Sequence, residues 1–99
     1  VLATQPNHNL RILFVDDELP LQELMRDELT RMGHQVTVCP DGTTAIRTLN
    51  QQSFDVAILD MKMPDMTGID VLRHLKQVTP DTDAVILTGF ASQESTVEA

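Results

Sequence analysis

The chain has 99 residues, enough for one domain with a single core, and its 41% hydrophobic and 22% charged residues are ordinary for a globular protein. Its 7 basic and 15 acidic residues give a net charge of −8, which disfavours direct contact with nucleic acid phosphates. No apolar run approaches the roughly eighteen residues of a membrane span, so the sequence predicts no contact with a membrane.

Residues 1–9 are predicted to be a leader outside the domain, which we expect over residues 10–99. They are polar after Ala3 and lack the layout of a signal peptide. The single cysteine, Cys39, cannot form an internal disulfide, which agrees with a reducing, cytoplasmic location.

The first predicted strand, residues 12–15, is wholly apolar, as is typical of a parallel strand that is covered on both faces. It ends at the acidic residues 16–18. Pro20 then suits the start of a helix, and Gly33 suits its C-terminal cap. The apolar side chains expected on one face of this helix are Leu21, Leu24, Met25, Leu29 and Met32.

A second strand is predicted over residues 36–39, followed by a turn at residues 41–42. The second helix is marked by Ala45, Ile46 and Leu49. A third apolar strand, residues 56–59, is closed by Asp60.

A loop containing Pro64 and Gly68 leads into a third helix, which the sequence Thr-Pro-Asp at residues 79–81 ends. The apolar positions of this helix are Ile69, Leu72 and Leu75. The fourth strand, residues 84–87, is followed by Thr88, and residues 92–99 look like the beginning of another helix.

Alternating short apolar strands and helices predict an α/β fold with a parallel sheet, whose site lies beyond the carboxyl ends of the strands. If the first and third strands are neighbours, Asp16, Asp17 and Asp60 converge there, with Thr88 at the end of the fourth strand. Clustered carboxylates need a proton or a cation, and an all-oxygen site suits Mg²⁺ better than Zn²⁺. Spacing and chemistry therefore indicate a Mg²⁺-dependent phosphoryl site. Taken singly, each acid has the alternative role of turn residue or helix N-cap.

Three stretches resemble the motifs of response-regulator receiver domains from two-component signalling systems: ILFVDDE at 12–18, DVAILDMKMPDMTG at 55–68 and VILTG at 85–89. The resemblance implies a flavodoxin-like three-layer sandwich with strand order 2-1-3-4. It also implies that Asp60 is phosphorylated by a phosphohistidine of a sensor histidine kinase or phosphotransfer protein.

The remaining roles also come from the resemblance. Asp17 would bind Mg²⁺ directly, Asp16 would bind it through water, and the main-chain carbonyl of Lys62 would complete the protein's share of the ligands. Thr88 would move its hydroxyl onto a phosphoryl oxygen and so begin a conformational switch, while Gly89 would leave the phosphate accessible. The side chain of Lys62 either tunes the lifetime of the phosphoryl group or lies in solvent.

A complete receiver continues through a fifth strand and helix, which this chain does not include. Those residues either exist in the gene product or are missing from a true short form, which would leave an open edge at the fourth strand. We favour the first, because residues 84–87 look like an interior strand. The expected partners beyond the kinase are an output domain or downstream protein, and a second copy in a homodimer. Residues 87–92 are similar to receivers of transcription regulators.

Three other functions compete with a phosphoacceptor that turns over no separate substrate. The first is a degenerate receiver that acts only as a protein-interaction module. The second, an aspartate-nucleophile phosphatase, usually carries an acid two residues after the nucleophile, where this chain has Lys62. The third, a nucleotide binder, lacks a glycine-rich loop after the first strand.

Overall fold

The computed structural model describes residues 9–88, which form one parallel sheet of four strands with three helices. The strands are β1 (Arg11–Val15), β2 (Gln35–Cys39), β3 (Val56–Asp60) and β4 (Asp83–Leu87). The helices are α1 (Leu19–Arg31), α2 (Gly42–Gln51) and α3 (Gly68–Val78). None of these three helices is long and apolar enough to cross a bilayer.

The order of the strands is β2-β1-β3-β4, and every neighbouring pair is parallel. The predicted α/β, flavodoxin-like sheet with strand order 2-1-3-4 is therefore confirmed. Predictions for residues 1–8, for Gly89 and for a helix over residues 92–99 lie outside the described residues.

The core lies between the sheet and the pair α2 and α3. Alternate strand residues such as Leu13 and Leu59 face these helices and are fully buried together with Val71 and Leu75. Phe14 points to the other face of the sheet, where α1 contacts β1 and β2. The helices thus form a layer on each side of the sheet.

Three strands begin one residue before the predicted apolar runs, at Arg11, Gln35 and Asp83, which are exposed. Each is paired through its main chain with a residue on the neighbouring strand. An apolar pattern reports burial of side chains, so it does not detect an exposed residue that joins the sheet only through its backbone.

The predicted apolar face of α1 is partly wrong. Leu24 is 53% exposed and Met32, which caps the helix, is 61% exposed. Leu21 and Met25 are half-buried, and a helical step of about 100° per residue sets Leu24 to one side of the stripe they define. The predicted end of α1 is correct, because Gly33 follows the cap with a φ of 99°, which favours glycine.

The other two helices have side-chain caps at their N-termini. The predicted turn at residues 41–42 is the beginning of α2, where the Asp41 side chain accepts a 2.8 Å hydrogen bond from the Thr44 N–H. Thr67 and Asp70 form a reciprocal capping box at the beginning of α3. These caps fix the helix ends that border the carboxyl edge of the sheet.

Candidate functional site

Three carboxylates lie together at the carboxyl edge of the sheet. β1 and β3 are neighbours, and Val15 pairs with Leu59, so the next residues along the two strands are Asp16 and Asp60. One carboxylate oxygen from each of Asp16, Asp17 and Asp60 lies within 4.8 Å of the other two. We call these three residues the acidic cluster.

Asp16 is fixed by its surroundings and is only 5% exposed. Its N–H donates to the Cys39 carbonyl oxygen (3.1 Å), and its own carbonyl oxygen accepts from Nε2 of Gln22 (2.7 Å). Its Oδ1 accepts from the Glu18 N–H (2.8 Å). Burial raises the pKa of Asp16, the Glu18 N–H opposes that rise, and the charge of Asp17 adds to it.

Asp60 is half-buried at the end of β3, and its pKa is raised from 3.8 to about 6. Burial is the largest cause, followed by the negative charge of Asp16. Asp17 and Glu18 contribute smaller repulsions, and the Lys62 N–H, 3.4 Å from Oδ1, lowers the pKa. A cation placed among these oxygens would remove the repulsion and favour the ionised form of Asp60.

The main chain around Asp60 is held by β4 and by the beginning of α3. The Met61 N–H donates to the Leu87 carbonyl oxygen (2.8 Å), and the Gly68 N–H donates to the Met61 carbonyl oxygen (2.9 Å). A Cβ atom at Gly68 would lie 2.5 Å from the Asp60 carbonyl oxygen, which is backbone and cannot swing aside. The glycine eight residues after Asp60 is therefore required for this close approach.

Lys62 and Thr88 follow the ends of β3 and β4 at this edge. Leu87 pairs with Asp60, so Thr88, half-buried and next along the chain, is placed beside the acidic cluster. Lys62 is exposed, and its backbone pairs with that of Thr67 in an antiparallel bridge. This bridge sets the path of the main chain whose carbonyl was predicted to bind the metal.

Sequence reasoning did not single out Asp65, whose carboxylate tightly joins the loop after β3 to the beginning of α2. Its Oδ2 accepts from the Thr43 hydroxyl (2.6 Å) and from the Thr43 N–H (2.8 Å), and its Oδ1 accepts from the Gly42 N–H (3.1 Å). These bonds lower the pKa of Asp65 to about 2, the Thr43 hydroxyl being the largest cause. No local pattern could predict a contact between residues 22 positions apart.

The acidic cluster has the chemistry of a site for a hard divalent cation. It offers carboxylate oxygens from residues at the ends of two neighbouring strands, and Asp16 is almost wholly buried. Repulsion between these carboxylates adds to burial in raising the pKa of Asp60. A carboxylate that a cation keeps ionised, partly open to solvent, is suited to attack an electrophilic phosphorus atom.

Comparison with known proteins identifies the family of the chain. Residues 12–99 match the family model of the response regulator receiver domain. The luminescence regulatory protein LuxO of Vibrio campbellii is 36% identical over 85 residues, which cover 86% of this chain and 19% of LuxO. The transcriptional regulatory protein ZraR of Escherichia coli is 32% identical over 91 residues, 92% of this chain and 21% of ZraR. The chain thus spans about a fifth of the length of these relatives.

Solved structures of the response regulator TrrA of Thermotoga maritima are also similar. In its complex with Mg(2+)-BeF, TrrA aligns with a TM-score of 0.77 and 30% identity, over 85% of this chain and 73% of TrrA. In its complex with the histidine kinase ThkA, the TM-score is 0.76 at 30% identity, over 87% of this chain and 74% of TrrA.

Proposed function

This chain belongs to the receiver domain family of two-component response regulators, and we propose that it accepts a phosphoryl group on Asp60 from a sensor histidine kinase or phosphotransfer protein. The observation that carries the proposal is the acidic cluster, in which Asp16 and Asp17 after β1 lie close to the half-buried Asp60 at the end of β3. The raised pKa of Asp60 supports this role, because such shifts are common at reactive carboxylates.

The transfer step needs Asp60 in its ionised form. A carboxylate oxygen of Asp60 attacks the phosphorus atom of a phosphohistidine, forming an O–P bond as the N–P bond breaks. The imidazole nitrogen leaves with the electron pair of that bond and takes a proton from solvent. The product is an acyl phosphate with roughly two negative charges, in place of the single charge of the Asp60 carboxylate.

The residues present fit Mg²⁺, with Asp17 and Asp60 as direct carboxylate ligands, Asp16 as a ligand through water, and Lys62 as a main-chain carbonyl ligand. Oxygen ligands at an open edge are what Mg²⁺ prefers, since it retains several water molecules in proteins. Mg²⁺ supplies positive charge that offsets the charge of the carboxylates and of the transferring phosphoryl group. The relative TrrA was solved with Mg(2+)-BeF, which supports this assignment.

Thr88 is proposed to carry the switch. Thr88 follows Leu87, which pairs with Asp60. Its hydroxyl donor therefore belongs to the part of the edge that phosphorylation makes more negative. Movement of this donor toward a phosphoryl oxygen would repack the neighbouring surface between two states. The exposed side chain of Lys62 is proposed to tune how long the phosphoryl group persists.

The proposed partners are the kinase, an output domain or downstream protein, and a second copy in a homodimer. The complex of TrrA with the histidine kinase ThkA supports the first of these, and the longer regulators LuxO and ZraR support the second, with transcription as the controlled process. A cytoplasmic location is proposed because Cys39 is a buried free thiol, as expected in a reducing compartment. The domain turns over no substrate beyond its own phosphorylation and dephosphorylation.

Incubation of the chain with acetyl phosphate and Mg²⁺, followed by intact-mass analysis, tests the proposal. We expect the mass to rise by one phosphoryl group in the wild type and to stay unchanged in Asp60→Asn or when EDTA replaces Mg²⁺. Asp27→Asn, which alters an exposed carboxylate on α1, is the matched control and should be phosphorylated as the wild type is. An unmodified wild-type chain would favour a degenerate receiver that acts only in protein interaction.

A further inference from the structure

The loop after β3 is joined to the beginning of α2 by both polar and apolar contacts. The carboxylate of Asp65 accepts three hydrogen bonds from Gly42 and Thr43, at 2.6 to 3.1 Å. Beside them, the Met66 side chain fills the space that a Cβ atom at Gly42 would need, since that atom would lie 2.2 Å from the Met66 Cγ. Two consecutive loop residues therefore fix the loop against one helix end.

These contacts link the segment that holds Asp16 to the loop that follows Asp60, in addition to the pairing of β1 with β3. On one side, the Asp16 N–H is bonded to the carbonyl oxygen of Cys39, the last residue of β2, and the chain leads from there into α2 at Thr43. On the other side, Asp65 lies three residues after Lys62. The hydrogen bonds between Asp65 and Thr43 join these two sides, so a shift of the loop would either break the bonds or displace the beginning of α2.

We propose that Asp65 is a positioning residue for phosphoryl transfer, which holds the loop after β3 so that the Lys62 carbonyl is placed for metal binding. The inference rests on the proposed function, because it assigns Asp65 a part in building the same site. Residues that orient a metal ligand without touching the metal commonly change the affinity by one to two orders of magnitude when they are removed.

The charge of Asp65 also suits this place. Asp41 already places a carboxylate at the N-terminus of α2, and Asp65 brings a second negative charge from another element to this positive end of the helix. Its pKa of about 2 keeps it ionised at any pH at which the protein works, so the contact does not loosen with ordinary changes of pH. Asp41, in contrast, caps α2 only from within its own segment, through the Thr44 N–H.

The test compares Asp65→Ala and Thr43→Val with the control Asp41→Ala in the whole chain. Isothermal titration calorimetry measures the affinity for Mg²⁺, and incubation with acetyl phosphate measures the rate of phosphorylation. Urea unfolding measures the stability of each variant. We expect Asp65→Ala to weaken Mg²⁺ binding about tenfold and to slow phosphorylation. Thr43→Val, which loses the hydroxyl bond alone, should weaken Mg²⁺ binding about threefold. Asp41→Ala should lose stability and keep Mg²⁺ affinity within about twofold of the wild type.

Equal Mg²⁺ affinity in the wild type, Asp65→Ala and Thr43→Val would overturn the inference while leaving the proposed function intact. So would a loss of affinity in Asp41→Ala as large as that in Asp65→Ala, since stability of α2 alone would then explain both. If Asp65→Ala does not fold, Thr43→Val decides the question. A wild-type chain that neither binds Mg²⁺ nor is phosphorylated would overturn both the inference and the proposed function.

Discussion

Replacing Asp60 by asparagine should stabilise the metal-free protein while removing its response to Mg²⁺. The pKa of Asp60 rises from 3.8 to about 6 on folding, so the folded chain holds this proton more tightly than the unfolded chain does. Ionised Asp60 therefore costs stability: the cost is absent below pH 3.8, grows as the pH rises toward 6, and is complete above that. Asparagine keeps the shape of the side chain and carries no charge.

The pKa shift sets the size of the effect. A rise of this size corresponds to at most about 3 kcal/mol at about 1.4 kcal/mol per pKa unit. Because Asp60 is half-buried, solvent screening reduces the expected gain in Asp60→Asn to about 1 kcal/mol in EDTA above pH 6. With Mg²⁺ at about 100 times its Kd, the wild type gains about 2.7 kcal/mol, and the order of stability reverses.

Urea unfolding of the wild type and Asp60→Asn, in EDTA and in excess Mg²⁺, measures this reversal. Asp27→Asn removes an exposed carboxylate on α1 and should follow the wild type in both solutions. The reasoning is refuted if Asp60→Asn is less stable than the wild type in EDTA, or if Mg²⁺ stabilises both equally. The first result would mean that burial and the neighbouring charges do not oppose ionisation of Asp60, and the second would mean that Asp60 does not take part in binding Mg²⁺.

Three further substitutions test how the edge of the sheet is built, each by urea unfolding. Thr67→Ala removes the capping box shared with Asp70 and should cost about 1 kcal/mol; no loss would mean that the box is not formed in solution. Gly68→Ala drives a Cβ atom against the Asp60 carbonyl oxygen, so it should cost more than about 1 kcal/mol of stability. It should also slow phosphorylation by acetyl phosphate. A variant as stable and as reactive as the wild type would contradict the close approach. Phe14→Ala empties a fully buried position and should cost about 3–5 kcal/mol, whereas a loss below about 1 kcal/mol would place Phe14 outside the core.

The order of the elements could be predicted from the sequence because each strand is a short apolar run. Such a run needs cover on both faces, and its alternation with helices favours a parallel sheet between two helix layers. The same logic placed Asp16, Asp17 and Asp60 at one edge, since parallel strands end on the same side. Burial of side chains determines these features, and it is visible in a local pattern of residues.

The features that the sequence did not predict depend on packing between distant segments. Leu24 was predicted to lie on the apolar face of α1, yet it is exposed because its helical position is to one side of the half-buried Leu21 and Met25. Asp65 gives no local signal, because its partner Thr43 lies 22 residues away. The need for Gly68 was visible as part of a motif, but its cause, the Asp60 carbonyl oxygen, appears only in three dimensions.

A crystal structure of the chain grown with Mg²⁺ and beryllofluoride, which imitates a phosphoryl group on a carboxylate, tests the central claim most directly. We predict the beryllium bonded to a carboxylate oxygen of Asp60, and Mg²⁺ held by the acidic cluster and the Lys62 carbonyl. Beryllofluoride on another residue, or Mg²⁺ bound away from Asp16 and Asp17, would contradict the account.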